Sequence, residues 1–148
     1  MKNDFVTAMR GAIADRATYL YMIYKALERD GRVEPETLLR GAIYEYGLAK
    51  GRANPIKTVR KWIKGGTSQE ILQKEYLEAE EDRGRIRFTH CPHLETWRKL
   101  GATDAECATL CDIAMRGDYG EMAVYGFKME VIKSLAKGDE CCELVVSR

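Results

Sequence analysis

The chain has 148 residues, the common size of one folded domain, so its own core is large enough to fold it without a disulfide or a metal. Its 24 basic and 23 acidic residues leave a formal net charge of +1, which excludes the broad positive field that nucleic acid or an anionic membrane needs. No signal-type segment or apolar run of roughly 20 residues occurs. We therefore expect one cytoplasmic domain that binds neither nucleic acid nor membrane.

The first 83 residues carry helical periodicity and are predicted to form four helices. Apolar residues recur at spacings of three and four from Phe5 to Leu27, and Asp30-Gly31 ends the first helix. The other three are predicted over 38–46, from residue 55 to a turn at Gly65-Gly66, and from a cap at Thr67-Ser68 through Tyr76 to Gly84.

After Gly84 the apolar period changes from that of a helix to that of a strand. Ile86, Phe88 and His90 fall on one face of a strand, and three polar residues fall on the other. Near the end of the chain, residues 127–131 and 142–146 alternate in the same way around a turn at 137–139, which predicts a β-hairpin. N-terminal helices followed by a small antiparallel sheet with two intervening helices give an α+β fold, with a helical part at 1–83 and a cysteine-bearing part at 84–148.

Two helices are predicted between the strands. Pro92 suits the first position of a helix, which makes Cys91 the N-cap, and Gly101 ends this helix. The segment Thr103-Asp104-Ala105-Glu106 matches a capping box, so a second helix is expected from there to about Met115.

All five cysteines lie after residue 90, and a reducing cytoplasm would keep them as free thiols. In the segment His90-Cys91-Pro92-His93, a helix N-terminus and an adjacent imidazolium would both favour the thiolate of Cys91. That pattern is typical of a nucleophile. A buried structural cysteine between two surface histidines explains the segment equally well.

The other cysteines have weaker local signals. Cys107 and Cys111 lie four residues apart on one helix, and their spacing favours a core seam. A function for Cys111 would need an acidic neighbour, for which Asp112 and Asp118 are the candidates. Adjacent residues of a strand face opposite ways, so Cys141 and Cys142 are not expected to pair.

A zinc site is the main alternative use of these side chains. Its ligands would come from the two histidines and from the thiols, namely His90, His93, Cys91, Cys107, Cys111 and Cys142. Because the chain has no Cys-x-x-Cys knuckle, we assign no metal and no other cofactor. The alternating arginines 83, 85 and 87 are typical of a solvated strand face, although such a face could also bind a substrate carboxylate.

The order of these motifs resembles the C-terminal pattern of the L-2-amino-thiazoline-4-carboxylic acid hydrolase family. The matching segments are Cys91-Pro92, Leu100-Gly101, Leu110-Cys111-Asp112 and Gly138-Asp139-Glu140-Cys141-Cys142-Glu143. The resemblance implies that Cys91, Cys111 and Cys142 are the three family cysteines and that Glu143 takes the acidic place beside the third. Leu144 stands where the family usually has an aromatic residue.

The resemblance implies hydrolytic opening of a cyclic amidine to an N-carbamoyl amino acid, without a redox cofactor. It implies a small-molecule substrate and a cysteine nucleophile, either Cys111 or Cys91. The expected catalytic residues are these two cysteines with Cys142, Asp112 and His93, and the expected substrate-binding residues are Arg87, Glu143 and His90. We expect the three thiols to converge on one site.

The same residues are also compatible with two alternative functions in which the protein does not turn over a substrate. The Gly-rich end with Cys-Glu also resembles the 4-vinyl reductase-like ligand-binding domains, which implies the alternative of a binding or sensory domain whose cysteines line a pocket or hold a metal. A scaffold that forms a homo-oligomer through its N-terminal helices is the third reading, and it predicts no pocket.

Overall fold

A computed structural model describes residues 2–65 and 68–148, with side chains for 4–65 and 69–148. The predicted turn at Gly65-Gly66 and cap at Thr67-Ser68 include residues 66 and 67, which lie outside the described residues. The helices are α1 (Lys2–Asp30), α2 (Pro35–Ala53), α3 (Val59–Lys64), α4 (Ser68–Leu72), α5 (Pro92–Lys99) and α6 (Asp104–Tyr125). The strands are β1 (Lys74–Ala79), β2 (Arg83–Phe88), β3 (Lys128–Lys133) and β4 (Cys142–Ser147), with a 3-10 turn at Leu135–Lys137.

The predicted α+β fold is confirmed. The four strands form one antiparallel sheet in the order β1-β2-β4-β3, so the last strand of the chain is central. The predicted hairpin is the β3–β4 pair, in which Val131 lies opposite Leu144. Ile86 and Val146 belong to the main hydrophobic core, which places this sheet face against the helices.

The prediction of helix up to Gly84 is wrong between residues 74 and 79. The helix α4 ends at Leu72, and Gln73 takes a left-handed backbone conformation with φ 51°, which stops helix propagation. Tyr76 then pairs with Ile86 across β1 and β2. The edge strand β1 has Leu77 on an exposed position and Tyr76 on a half-buried one, so its sequence lacks the clear alternation of apolar and polar residues that would have distinguished a strand from a helix.

The predicted end of the last helix near Met115 is also wrong, because α6 continues to Tyr125. Gly117 and Gly120 resemble helix breakers in the sequence, but here they allow the backbones of α2 and α6 to approach. A Cβ atom at Gly47 would collide with the Gly117 carbonyl, and one at Gly120 would collide with the Tyr44 carbonyl. The two helices run in the same direction, since Arg40 lies 3.8 Å from Asp112 and Lys50 lies 3.1 Å from Glu121.

A second core cluster joins α1 to α5 and α6. Trp97 is buried and donates a hydrogen bond from Nε1 to the Ala17 carbonyl at 2.9 Å. Cys107 lies in this cluster and is 1% exposed, so its prediction as a core residue is confirmed. Across the described parts of the chain, no helix has the length and apolarity needed to cross a membrane.

Candidate functional site

A cavity of about 1050 Å³ lies between α1, α2, α6 and the inner face of the sheet. Its wall is mostly apolar, with Met9 and Ile13 from α1, Ile43 from α2 and Phe88 and Leu144 from the sheet. Cys91, Cys111 and Cys142 all open into it. The expected convergence of the three thiols is therefore confirmed.

Cys91 is the N-cap of α5, as its position before Pro92 predicts. Burial raises the pKa of the Cys91 thiol, and the backbone N–H groups of Leu94 and His93 offset part of that rise. Neither N–H group completes a capping hydrogen bond to the side chain. The expected low pKa of Cys91 is therefore wrong, because desolvation outweighs the effect of the helix N-terminus.

Cys111 and Cys142 are more strongly shifted. Burial raises the pKa of Cys111 to about 12, and the nearby Cys91 and Cys142 thiols add to that shift. Burial raises the pKa of Cys142 to about 11, although its Sγ accepts a hydrogen bond from the Leu135 N–H at 3.3 Å. The pKa of each of the three thiols thus lies above its ordinary value, which favours the protonated form near neutral pH.

Ser134 lies beside Cys111 and Cys142, and a hydrogen bond with its side chain lowers the pKa of both thiols against the larger effect of burial. Ser134 is 4% exposed and lines the cavity. Its hydroxyl therefore belongs to the polar cluster that Cys111 and Cys142 form in the cavity wall.

His93 follows Pro92 and also lines the cavity. Burial lowers the pKa of His93 to about 4, and the charge of Arg16 lowers it further. The predicted imidazolium beside Cys91 is therefore wrong, since the ring is neutral above about pH 5. Arg16 itself lines the cavity and forms no hydrogen bond or ion pair with the described residues.

The two acidic candidates after Cys111 have different surroundings. Asp112 is 43% exposed at the cavity edge, where Lys137 at 3.5 Å and Arg40 at 3.8 Å neutralise it. Asp118 lies six residues farther along α6 and also lines the cavity. Burial raises the pKa of Asp118 to about 6, and Glu121 adds to that rise.

The three expected substrate-binding residues do not line this cavity. Glu143 is 1% exposed on the outer sheet face, where it forms ion pairs with Arg85 and Arg87 that cover it. Hydrogen bonds from Arg85 and Arg87 hold the pKa of Glu143 below its ordinary value. His90 follows β2 with its Nε2 3.6 Å from Glu95. Strand alternation directs Arg87 and Glu143 to the face opposite the cavity, so the expected role of Arg87, Glu143 and His90 in substrate binding stays a prediction that this cavity does not support.

No three His, Cys, Asp or Glu side chains within residues 4–65 and 69–148 lie close enough together to hold a metal ion. The thiols share a cavity without forming a tetrahedral ligand set.

Sequence reasoning missed Arg16, Lys50 and Ser134, which supply polar atoms to the cavity. Arg16 and Lys50 lie on helices without a recognisable motif, although each follows an apolar stripe at helical spacing. That stripe is the signal that could have placed them beside a buried surface. Ser134 lies after a strand in a turn and has no local signal.

The family model of the L-2-amino-thiazoline-4-carboxylic acid hydrolases matches residues 11–146, nearly the whole chain. This match extends the resemblance of the cysteine-bearing part to the N-terminal helices. No curated protein matches the chain in sequence.

Two solved structures are similar in fold. One is a trafficking protein particle complex subunit 3 from Naegleria fowleri covalently bound to palmitic acid, with a TM-score of 0.53, 14% identity and coverage of 89% of this chain and 94% of that one. The other is the phenol-responsive sensory domain of the transcription activator PoxR with phenol, with a TM-score of 0.48, 12% identity and coverage of 88% and 73%. At these identities the likeness to the first is one of fold alone.

Proposed function

Because the chain belongs to the L-2-amino-thiazoline-4-carboxylic acid hydrolase family, we propose that its cavity binds a small cyclic amidine and opens the ring by hydrolysis. The observation that carries this proposal is the meeting of Cys91, Cys111 and Cys142 with the Ser134 hydroxyl in one largely apolar cavity. Such a site can exclude bulk water and orient a reactive carbon against a thiol.

Cys91 is the proposed nucleophile. Its thiol lies at the start of α5, where the N–H groups of Leu94 and His93 favour the thiolate. Cys111 lacks such backbone donors, and its pKa of about 12 makes its thiolate harder to form. A substrate amidinium would add a positive charge beside Cys91, so binding of the substrate itself would promote loss of the thiol proton.

The proposed reaction has two steps. The Cys91 sulfur forms a bond to the amidine carbon, the ring carbon–sulfur bond breaks, and the ring sulfur leaves with the proton lost by Cys91. Water then adds to the same carbon and the bond to Cys91 breaks, which returns its thiol and leaves a carbamoyl group. One water is consumed, and no redox cofactor is required.

Two side chains have proposed supporting roles. Arg16 would bind the substrate carboxylate, since it is the cation at the cavity that has no partner among the described residues of α1 and its neighbours. A bound carboxylate would also offset the charge of Arg16 that lowers the pKa of His93, so His93 would become a better proton carrier in the complex.

A binding or sensory domain without turnover is the second candidate. It is favoured by the raised pKa of every thiol in the cavity, because protonated thiols are weak nucleophiles. Incubation with 2-amino-thiazoline-4-carboxylate and mass detection separates the two. A product heavier by one water supports the hydrolase, whereas saturable binding without product supports the binding domain.

The zinc alternative needs a separate measurement. Elemental analysis of the purified protein should give far less than one equivalent of zinc, and chelator should leave activity unchanged. Stoichiometric zinc together with loss of activity on chelation would contradict a thiol mechanism.

A further inference from the structure

The cavity extends well beyond the three thiols along the axis of α6. Cys111, Ala114, Met115 and Asp118 all line it, and their spacing of three, four and seven residues puts them on one helix face. Seven residues at about 1.5 Å each place Asp118 about 10 Å along the axis from Cys111. The cavity therefore has a thiol end and a far end.

The helix α2 forms a second long wall in the same direction. Leu39, Ile43, Tyr46 and Lys50 line the cavity at helical spacing. Because α2 and α6 run in parallel, Lys50 lies at the Asp118 end, where it pairs with Glu121 at 3.1 Å. Both walls thus end in charged groups.

The stretch between the two ends is apolar. Ile43, Phe88, Ala114, Met115 and Leu144 surround it without a polar side chain among them. A ring no larger than an amino acid, placed at the thiols, would leave this stretch unfilled. Apolar surface of this kind favours an apolar part of a ligand over water.

At the far end Asp118 has no ion pair or hydrogen bond with the described residues. Its two nearest cations are already engaged. Lys50 pairs with Glu121, and Lys74 donates to the Ile63 carbonyl at 3.4 Å and lies over the Tyr76 ring. A ligand carboxylate here would meet two acidic side chains, whereas a ligand amine would give Asp118 its missing donor.

We propose that the ligand of this cavity is elongated, with a cyclic amidine at the thiols, an apolar body along Ala114 and Met115, and a terminal primary amine at Asp118. The amidine end rests on the proposed function. The apolar body and the amine rest on the shape and charges of the far end alone.

Three N-substituted 2-amino-thiazoline-4-carboxylates test this, with methyl, hexyl and 6-aminohexyl groups on the exocyclic nitrogen. Calorimetric titration at pH 7.5 should show the hexyl compound binding at least about tenfold tighter than the methyl compound, and the aminohexyl compound about tenfold tighter again. Equal affinities for all three would overturn the proposal. Turnover of the methyl compound is scored separately, so the hydrolase can fail or stand independently.

Two variants locate the effect. In Asp118→Asn the added affinity from the amine should disappear while that from the hexyl chain remains. Ala114→Phe fills the middle of the cavity, so the hexyl and aminohexyl compounds should bind no more tightly to it than the methyl compound does. Ala123→Phe, the same change at an exposed position of α6, and Asp15→Asn on the exposed side of α1 serve as matched controls and should keep both gains. An amine gain that survives in Asp118→Asn would contradict the assigned orientation.

Discussion

The two faces of the central strand β4 treat polar groups in opposite ways. On the outer face, Glu143 is covered by Arg85 and Arg87, so its charge is already compensated. On the inner face, Cys142 opens into an apolar cavity with two other thiols and a serine hydroxyl, and no charged group compensates them. A buried charge that is covered by ion pairs therefore stabilises the fold, whereas a cluster of weakly paired polar groups on a cavity wall can still bind a ligand.

Replacement of the proposed nucleophile should give the largest effect. Cys91→Ser should lower kcat/KM for a cyclic amidine by roughly a thousandfold or more, because the hydroxyl is a far weaker nucleophile than a thiol. The matched control is Cys141→Ser, the same change at the buried residue just before β4, which does not line the cavity. Similar losses in both variants would mean that the defect is one of folding and not of chemistry at the cavity.

Stability against pH tests the unpaired carboxyl of Asp118. Folding raises its pKa from 3.8 to about 6, so the folded state binds more protons between these values and its stability falls as pH rises through them. Asp118→Asn should therefore be more stable than the wild type at pH 8, by about 2–3 kcal/mol at most, and the difference should vanish near pH 3.5. Urea denaturation at the two pH values measures this. A variant that is less stable at pH 8 would show that the carboxylate has a stabilising partner.

A substitution on the outer face of the sheet should change the stability of the protein and leave its activity unchanged. Glu143→Gln removes the charge that pairs with Arg85 and Arg87, so we expect a lower melting temperature in thermal denaturation. Its kcat/KM should equal that of the wild type, because Glu143 does not line the cavity. Loss of activity in a folded Glu143→Gln protein would contradict this prediction and would indicate that Glu143 takes part in substrate binding.

The smallest effect is expected at His93. Since its pKa is about 4, the ring carries no charge at pH 6.5 and cannot stabilise a Cys91 thiolate. His93→Ala should leave the rate of Cys91 alkylation by iodoacetamide unchanged, as followed by peptide mapping. Slower labelling would show that the imidazole is protonated after all.

The sequence predicted the elements that have strong local signals. Pro92 placed the N-cap at Cys91, and Thr103 with Glu106 placed the start of α6, where both capping hydrogen bonds are present. It failed where distant contacts decide the structure. The glycines of α6 resembled an end of the helix because their partner, the backbone of α2, lies far away in the chain.

The candidate site was predicted only in part, because its chemistry also depends on contacts between distant parts of the chain. The motif order identified the three thiols that converge, but protonation depends on burial, which no local pattern reports. Desolvation reversed the expected low pKa of Cys91 and the expected charge of His93. Arg16 lines the cavity next to Ala17, whose carbonyl accepts a hydrogen bond from Trp97, a contact between residues 80 positions apart that no local pattern reports.

The central claim is that the Cys91 sulfur bonds to the amidine carbon. Rapid acid quenching during turnover of 2-amino-thiazoline-4-carboxylate, followed by mass analysis of the intact protein and its peptides, tests this most directly. The account predicts one adduct per chain, located on the Cys91 peptide and absent from Cys91→Ser. An adduct located on Cys111 instead, or undiminished turnover by Cys91→Ser, would contradict it.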